Sequence, residues 1–173
     1  MKSPIGLVPL VDPASANEEQ AAFFARTPAI ALFRLLAHAP QLGGRLAGLG
    51  AAVMSGMTLD PRLREIAAIR VGYRLNAPYV VGQHERVAAR LDLAPDIVAA
   101  IQQEPPGPGL AASEAFVIRY VDALVAGAPP PFDDPAYVEL SERGRVELAT
   151  TVGYFSMLAI VTRSFGLQPD ATT

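Results

Sequence analysis

Glu65 and His84 are the two residues of this chain whose chemistry and spacing suggest a shared task. They stand nineteen positions apart in the sequence. An imidazole transfers protons near neutral pH, and a carboxylate partner raises its basicity and fixes which ring nitrogen carries the proton. If neighbouring helices bring the two together, they form a proton relay. The alternative is structural: His84 packs in the core, and Glu65 pairs with Arg62 or Arg64.

The residues around His84 predict a pocket wall. Ala77, Val80 and His84 follow i, i+3, i+7 spacing, which places them on one face of one helix. We expect Ala77 and Val80 to form an apolar wall that excludes water from the imidazole. Three more residues are expected to line the same pocket: Tyr73, Tyr79 and Gln83. For the two tyrosines, packing in the core explains the sequence equally well.

The segment from Leu59 to Ile101 resembles the carboxymuconolactone decarboxylase and alkylhydroperoxidase D-like family. The peroxidase branch of that family carries the pattern Glu-x11-Cys-x2-Cys-x3-His. Glu65 and His84 match this pattern in register, and Ala77 and Val80 occupy the two cysteine positions. The resemblance therefore implies a proton-relay pair without the thiols that it serves in the peroxidases.

The resemblance also covers residues 27–40 and becomes loose after residue 101. It implies a family-like core over residues 27–125, with the motif helices at about 60–92. It further implies an all-helical fold, assembly as trimers or hexamers, and a pocket beside the motif helix. Many cysteine-free relatives read Tyr-Glu-Trp where this chain has Tyr79-Val80-Val81, so a carboxylate of that pattern is missing here.

The composition excludes several kinds of chemistry. The chain has no cysteine, so it cannot form a sulfenic acid or a disulfide, and thiol peroxidase activity is excluded. Lys2 is the only lysine, which argues against Schiff-base catalysis. Two histidines cannot supply a three-histidine zinc site, so we expect no metal and no cofactor. A net charge of −3 without basic clusters argues against nucleic-acid or membrane partners.

The pattern of start signals predicts helices throughout. Capping residues, prolines or acidic residues mark the beginning of each apolar repeat. The predicted starts are Asn17, Thr27-Pro28, Pro40, Asp60-Pro61, Asn76-Pro78, Ala94-Pro95, Ser113-Glu114, Asp134-Pro135 and about Arg145. No segment alternates as a strand does. The sequence therefore predicts an all-α bundle of about eight helices in a single domain over residues 1–173.

The apolar content predicts a homo-oligomer. Apolar residues make up 51% of the chain and mean hydropathy is +0.28, more than one small core can hide. We expect a dimer, trimer or hexamer, with interfaces on the segment 152–160 and on the Gly/Ala-rich third helix. The segment 152–162 falls short of the about 20 residues needed to cross a bilayer. Residues 1–13 do not read as a secretory signal, so a cytoplasmic location is expected.

Three further features are interpreted as structural. His38 is expected at a helix end, where a cation suits the helix dipole. Arg70 is expected in a surface ion pair, with binding of a substrate carboxylate as the alternative. The triplet 152–154, Val-Gly-Tyr, repeats the triplet 71–73 and indicates a remnant of similarity between two helix pairs.

Two functional hypotheses remain open at this point. The first is an enzyme that acts on a small, partly apolar molecule by His–Glu acid–base catalysis, in a decarboxylation, isomerisation or lactone-type reaction. The second is a non-catalytic small-molecule-binding or scaffolding oligomer in which the pair is a structural hydrogen bond. An open pocket reaching the His84 imidazole favours the enzyme, and a sealed one favours the scaffold.

Overall fold

The computed structural model describes residues 8–170, which form α-helices joined by short loops and contain no strand. After a 3₁₀ turn at Pro13–Ser15 the helices are α1 (Glu18–Phe24), α2 (Ala31–Leu36), α3 (Pro40–Ser55), α4 (Pro61–Arg74), α5 (Pro78–Arg90), α6 (Pro95–Ile101), α7 (Ala112–Val125), α8 (Pro135–Glu139) and α9 (Glu142–Ser164). The all-α prediction is confirmed, with nine helices in the described part instead of about eight. Lys2 and most of the segment expected not to be a secretory signal lie outside the described residues.

Prolines and capping side chains set most helix starts, as the sequence indicates. Helices α3, α4, α5, α6 and α8 each begin at a proline, which has no N–H to leave unpaired in the first turn. Asp60 accepts a 2.8 Å hydrogen bond from the Arg62 N–H and so caps α4. Asn17 and Gln20 form a reciprocal capping box at α1. These local signals mark where most of the helices begin.

Three predicted starts are wrong, and one of them is that of α9, which begins at Glu142 rather than at about Arg145. Helix α2 begins at Ala31 rather than at Thr27-Pro28, and the Thr27 hydroxyl instead donates to the Phe23 carbonyl at the end of α1. Asn76 does not cap α5, because its backbone is left-handed with φ of 51°, and Ala77 takes the cap position. Asparagine adopts this left-handed conformation more readily than most residues. Asn76 therefore belongs to the turn between α4 and α5, and α5 begins only at Pro78.

Helix α4 is the centre of the molecule. Every residue from Arg64 to Gly72 is buried, and the helix packs against α5, α7 and α9. Gly72 permits the close approach of α5, since a Cβ there would lie 2.9 Å from Cγ2 of Val81 and 3.1 Å from its nitrogen. A helix enclosed on all sides must pair any charge it carries, because an unpaired buried ion is very costly.

Arg70 is paired inside the protein and not in a surface ion pair as predicted. It is 1% exposed and donates to both carboxylate oxygens of Asp122, each at 2.7 Å. It also donates to the carbonyls of Ile101 and Gln103, both at 2.8 Å, and to Glu104 at 3.2 Å. The guanidinium therefore binds α4 to α7 and to the end of α6. No donor remains for a substrate carboxylate.

Glu147 joins α9 to the loop that precedes α4. One carboxylate oxygen accepts hydrogen bonds from the Thr58 N–H, the Thr58 hydroxyl and the Leu59 N–H at 2.8–2.9 Å. The other accepts from Arg143 at 2.7 Å. Partial burial opposes ionisation, but these hydrogen bonds outweigh it and lower the pKa of Glu147 to about 2.

No helix among residues 8–170 has both the length and the apolar character needed to span a membrane.

Replacing Glu147 by Gln is expected to change how the thermal stability of the protein varies with pH in the acidic range. Because the folded pKa lies below the ordinary value of 4.5, ionised Glu147 stabilises the fold above that pH, and the contribution is lost as the pH falls toward 2. The Tm difference between wild type and Glu147→Gln, followed by circular dichroism, should therefore shrink over this range. Thr150→Ala, at an exposed position of the same helix that carries no titratable group, is the control and should show no such trend. A Glu147→Gln difference that stays constant would contradict the assignment.

Candidate active site

The predicted pair is assembled between the two central helices. Glu65 on α4 has no exposed surface, and its Oε2 lies 2.6 Å from Nδ1 of His84 on α5. Its Oε1 accepts a 2.7 Å hydrogen bond from Arg64 Nε, and Arg64 also donates to the Met54 carbonyl at 2.7 Å. Glu65 thus contacts His84, its partner in the proton-relay hypothesis, and also Arg64, one of its two possible partners in the structural alternative. Arg62 instead faces Glu114 at 3.9 Å.

The hydrogen bonds define the protonation pattern of His84. With Arg64 on its other oxygen, the Glu65 carboxylate accepts in both contacts, so Nδ1 of His84 carries the proton. Nε2 has no hydrogen-bond partner among the described residues, and no fully buried side-chain nitrogen or oxygen there lacks one. Nε2 therefore keeps contact with open space and has a lone pair available for a proton.

The open space beside His84 is a cavity of about 380 Å³, partly open to solvent. Helices α2, α3, α5 and α9 form its walls, together with residues 26–30. Most of the lining is apolar, which is typical of pockets for small molecules. Six buried or half-buried polar side chains interrupt it: Thr27, Tyr79, Gln83, His84, Tyr154 and Thr162. Exposed Arg26 also lines it.

The structure places four of the predicted pocket residues in this lining and two outside it. Tyr79, Val80, Gln83 and His84 all contribute to the wall. Ala77 does not, because it precedes α5 as the cap residue and is packed in the core, so the helical spacing does not extend to it. Tyr73 also lies outside, against the guanidinium of Arg70 at 5.4 Å. Val80, without Ala77, supplies the apolar surface next to His84.

Asp170, absent from the predicted site, anchors the α5 side of the cavity. Its carboxylate accepts from Tyr79 Oη at 3.2 Å, from the Gln83 side-chain amide, and from the Ala31 N–H at 3.0 Å. Tyr79 Oη in turn accepts from the Leu32 N–H at 3.2 Å. Burial raises the pKa of Tyr79 to about 12, so its hydroxyl stays protonated. Asp170 lies far along the sequence in a segment without periodicity, so no local signal pointed to it.

Three further lining residues were also missed by sequence reasoning. Gly50 of α3 and Tyr154 and Phe155 of α9 face the cavity, and the Phe155 ring packs edge-on against His84 at 4.4 Å between centroids. The Val-Gly-Tyr triplet at 152–154 was the available signal for Tyr154, although it was interpreted only as a trace of similar helix pairs. His38 lies outside the site, with Nε2 2.6 Å from the Pro9 carbonyl.

Comparison with known proteins defines the fold. No protein-family model matches the sequence, and no curated protein sequence matches it either. Among solved structures, an uncharacterized peroxidase-related protein from Silicibacter sp. TM1040 superposes with a TM-score of 0.79 at 16% identity, over 99% of this chain and 95% of that chain. An alkylhydroperoxidase AhpD core protein from Ralstonia eutropha JMP134 gives 0.79 at 13% identity, over 98% and 94%. This chain has the AhpD-like fold.

A third AhpD-like structure is a cysteine-to-alanine variant of the debrominase Bmp8 in complex with 2,3,4-tribromopyrrole. It superposes with a TM-score of 0.75 at 14% identity, over 98% of this chain and 93% of that chain. The resemblance inferred from the sequence is therefore confirmed at the level of the AhpD-like fold. Residues 8–170 contain no group of three His, Cys, Asp or Glu side chains placed to bind a metal ion.

Replacing Tyr79 by Phe is expected to lower the free energy of unfolding by about 1–3 kcal/mol, because the buried Leu32 N–H loses its acceptor. Urea unfolding monitored by circular dichroism measures the change. The control is Tyr120→Phe, which removes the hydroxyl of another buried tyrosine that has no hydrogen-bond partner among residues 8–170 and lies outside the cavity lining. Equal losses in the two variants would show that the Asp170–Tyr79–Leu32 connection contributes no stability of its own.

Proposed function

We propose that this protein is a lyase- or isomerase-type enzyme that acts on a small, mostly apolar molecule by acid–base catalysis without a cofactor. One observation carries the proposal: His84 lines a partly open cavity with Nε2 unpaired among residues 8–170, while Nδ1 is held by the buried carboxylate of Glu65. This is the arrangement expected of an enzyme, since a scaffold needs no opening at the imidazole.

The proposal gives a distinct role to each of three hydrogen-bonded side chains, those of Arg64, Glu65 and His84. Nε2 of His84 takes a proton from the bound molecule and returns it at another position. Glu65 fixes the tautomer of His84 and stabilises the imidazolium that forms. Arg64 balances the charge of the carboxylate when the imidazole is neutral. The apolar lining keeps water from the transferred proton and strengthens the electrostatic interactions around it.

The ligand class follows from the cavity. At about 380 Å³ it lies within the range of about 300–1,000 Å³ that is usual for small-molecule sites. Aromatic side chains and aliphatic residues dominate its surface, which suits a ring or a short branched skeleton. The AhpD-like debrominase structure contains a bound bromopyrrole, and this supports a small aromatic or cyclic ligand here. Thiol peroxidase activity is not proposed, because the whole sequence lacks cysteine.

A second candidate function is a non-catalytic binding or scaffolding protein, and one observation favours it. Arg64, Glu65 and His84 join α3, α4 and α5 through the contact of Arg64 with the Met54 carbonyl. The same hydrogen bonds would serve to hold three helices together in the absence of any reaction. A variant that keeps the hydrogen bond to Glu65 but cannot transfer a proton separates the two functions.

His84→Gln is that variant. The glutamine amide can still donate to Glu65, so the Tm should stay near that of wild type, while kcat/KM should fall by about 100- to 10,000-fold because no base remains. Turnover would be measured on a substrate found by screening small ketones, lactones and β-keto acids. His38→Gln, the same change at the other histidine, is the control and should retain full activity. Equal activity in the two variants would favour the scaffold.

We also propose that the protein is a homo-oligomer that associates through the outer faces of α3 and α9. On α9 the exposed residues Val146, Gly153, Met157 and Ile160 form a stripe that carries no charge. Leu42 and Leu49 of α3 are exposed in the same way, at 65% and 42%. Val152, which begins the segment expected at an interface, faces the core instead. An apolar face repeated on each copy suits a symmetric contact.

Ile160→Glu should convert the oligomer to a monomer, because the contact would have to bury an unpaired charge. Light scattering coupled to size exclusion measures the mass at micromolar concentration. Val138→Glu is the matched control: it places the same charge at a residue of α8 that is similarly exposed, 59% against 54%. A monomeric wild type, or an oligomer that survives Ile160→Glu, would contradict this interface.

A further inference from the structure

Two tyrosines line the cavity, and within residues 8–170 only the hydroxyl of Tyr79 forms hydrogen bonds. Tyr79 Oη accepts from Leu32 N–H and donates to Asp170. Tyr154 is equally enclosed, with 8% of its surface exposed, yet its Oη has no hydrogen-bond partner among the described residues. Since no fully buried side-chain oxygen in that part of the chain is unpaired, Tyr154 Oη keeps access to open space. The space it lines is the cavity.

The wall opposite Tyr154 is shaped around its hydroxyl. A Cβ added at Gly50 of α3 would overlap Tyr154 Oη and lie 3.3 Å from Cζ. The other glycines of α3 do not serve this purpose, since Gly44 and Gly48 face open space and Gly43 lies against the Phe23 ring. Gly50 also lines the cavity. The missing side chain at position 50 therefore lets the hydroxyl occupy the cavity wall.

His84 and Tyr154 both pack against the ring of Phe155. Phe155 packs edge-on against His84 with centroids 4.4 Å apart, and edge-on against Tyr154 with centroids 5.2 Å apart. All three rings line the same cavity. Within residues 8–170 neither Nε2 of His84 nor the Tyr154 hydroxyl has a hydrogen-bond partner, and the two are complementary: Nε2 accepts a proton, and the hydroxyl donates a hydrogen bond. Both residues line the same cavity of about 380 Å³.

We propose that Tyr154 donates a hydrogen bond to the oxygen on which negative charge develops when His84 removes a proton, and that the substrate is a small ketone with an acidic C–H beside its carbonyl. This inference rests on the acid–base function proposed above. The C–H bond breaks and its proton goes to Nε2 of His84. The released electron pair forms a C=C bond, and the carbonyl π pair moves to the oxygen.

The resulting enolate is held by the Tyr154 hydroxyl and returns to a ketone when His84 delivers the proton to the same or a conjugated carbon. The step needs no oxidant and no second substrate. Burial raises the pKa of Tyr154, which keeps the hydroxyl protonated and able to donate. A hydrogen bond aimed at a developing oxyanion in an apolar site is among the strongest contributions to catalysis of this kind.

The test uses 4-nitrophenol as the probe, because its phenolate resembles an enolate and its visible absorbance reports ionisation. Wild type should bind the probe at up to millimolar concentration and shift it toward the phenolate at a pH where the free probe is mainly protonated. Tyr154→Phe should bind about tenfold more weakly, the loss of one hydrogen bond to a charged group. Nitrobenzene, which lacks the hydroxyl, should bind both proteins equally. Tyr120→Phe is the matched control and should bind the probe as wild type does.

Two further variants keep the result decisive. Gly50→Ala retains the hydroxyl but displaces it, so it should weaken 4-nitrophenol binding as Tyr154→Phe does. His84→Gln should abolish the shift toward phenolate. If only His84→Gln has an effect, the role of Tyr154 is wrong and the acid–base function stands. If only Tyr154→Phe and Gly50→Ala have effects, Tyr154 binds the oxygen and the function of His84 is wrong. A wild type that does not bind the probe overturns the ligand class.

Discussion

The structure depends on one electrostatic constraint, which is that the Glu65 carboxylate has no exposed surface. A buried charge is tolerated only when its oxygens are paired, because the loss of hydration costs several kcal/mol or more. Arg64 and His84 supply the two partners, and Arg64 extends the connection to the Met54 carbonyl at the end of α3. The separation and rotation of α3, α4 and α5 are therefore limited to those that keep these hydrogen bonds short.

This constraint also determines how the imidazole of His84 is oriented. Because Nδ1 is engaged with the carboxylate behind it, the imidazole presents Nε2 to the cavity in one tautomer. The cavity walls come from elements far apart in sequence, and the Ala31–Asp170 hydrogen bond joins residues 139 positions apart. The Glu65–His84 hydrogen bond thus lies between α4 and α5, while the shape of the cavity depends on the packing of α2, α3, α9 and the segment that follows α9.

The sequence was sufficient to predict what depends on local signals. The helical class and the start of α4 at Pro61 follow from caps and prolines. The meeting of Glu65 with His84 was expected from the register that the chain shares with the pattern of the family it resembles. The burial of Arg70 was not predictable, because a charged residue usually marks the exposed face of a helix, whereas all residues of α4 from Arg64 to Gly72 are buried. Ala77 was misplaced because the tight turn at Asn76 begins α5 one residue later. Asp170 and Tyr154 acquire their positions only from tertiary contacts.

Arg70 has a consequence for the evolution of this chain. Its planar guanidinium serves two carboxylates and two carbonyls at once, a geometry that the three rotating donors of lysine cannot reproduce. An apolar replacement would leave Asp122 and two carbonyls without their donor, so tolerance of it requires a simultaneous change at Asp122. Natural drift at position 70 should therefore proceed through coupled substitutions, and the two positions should covary among descendants that keep this fold.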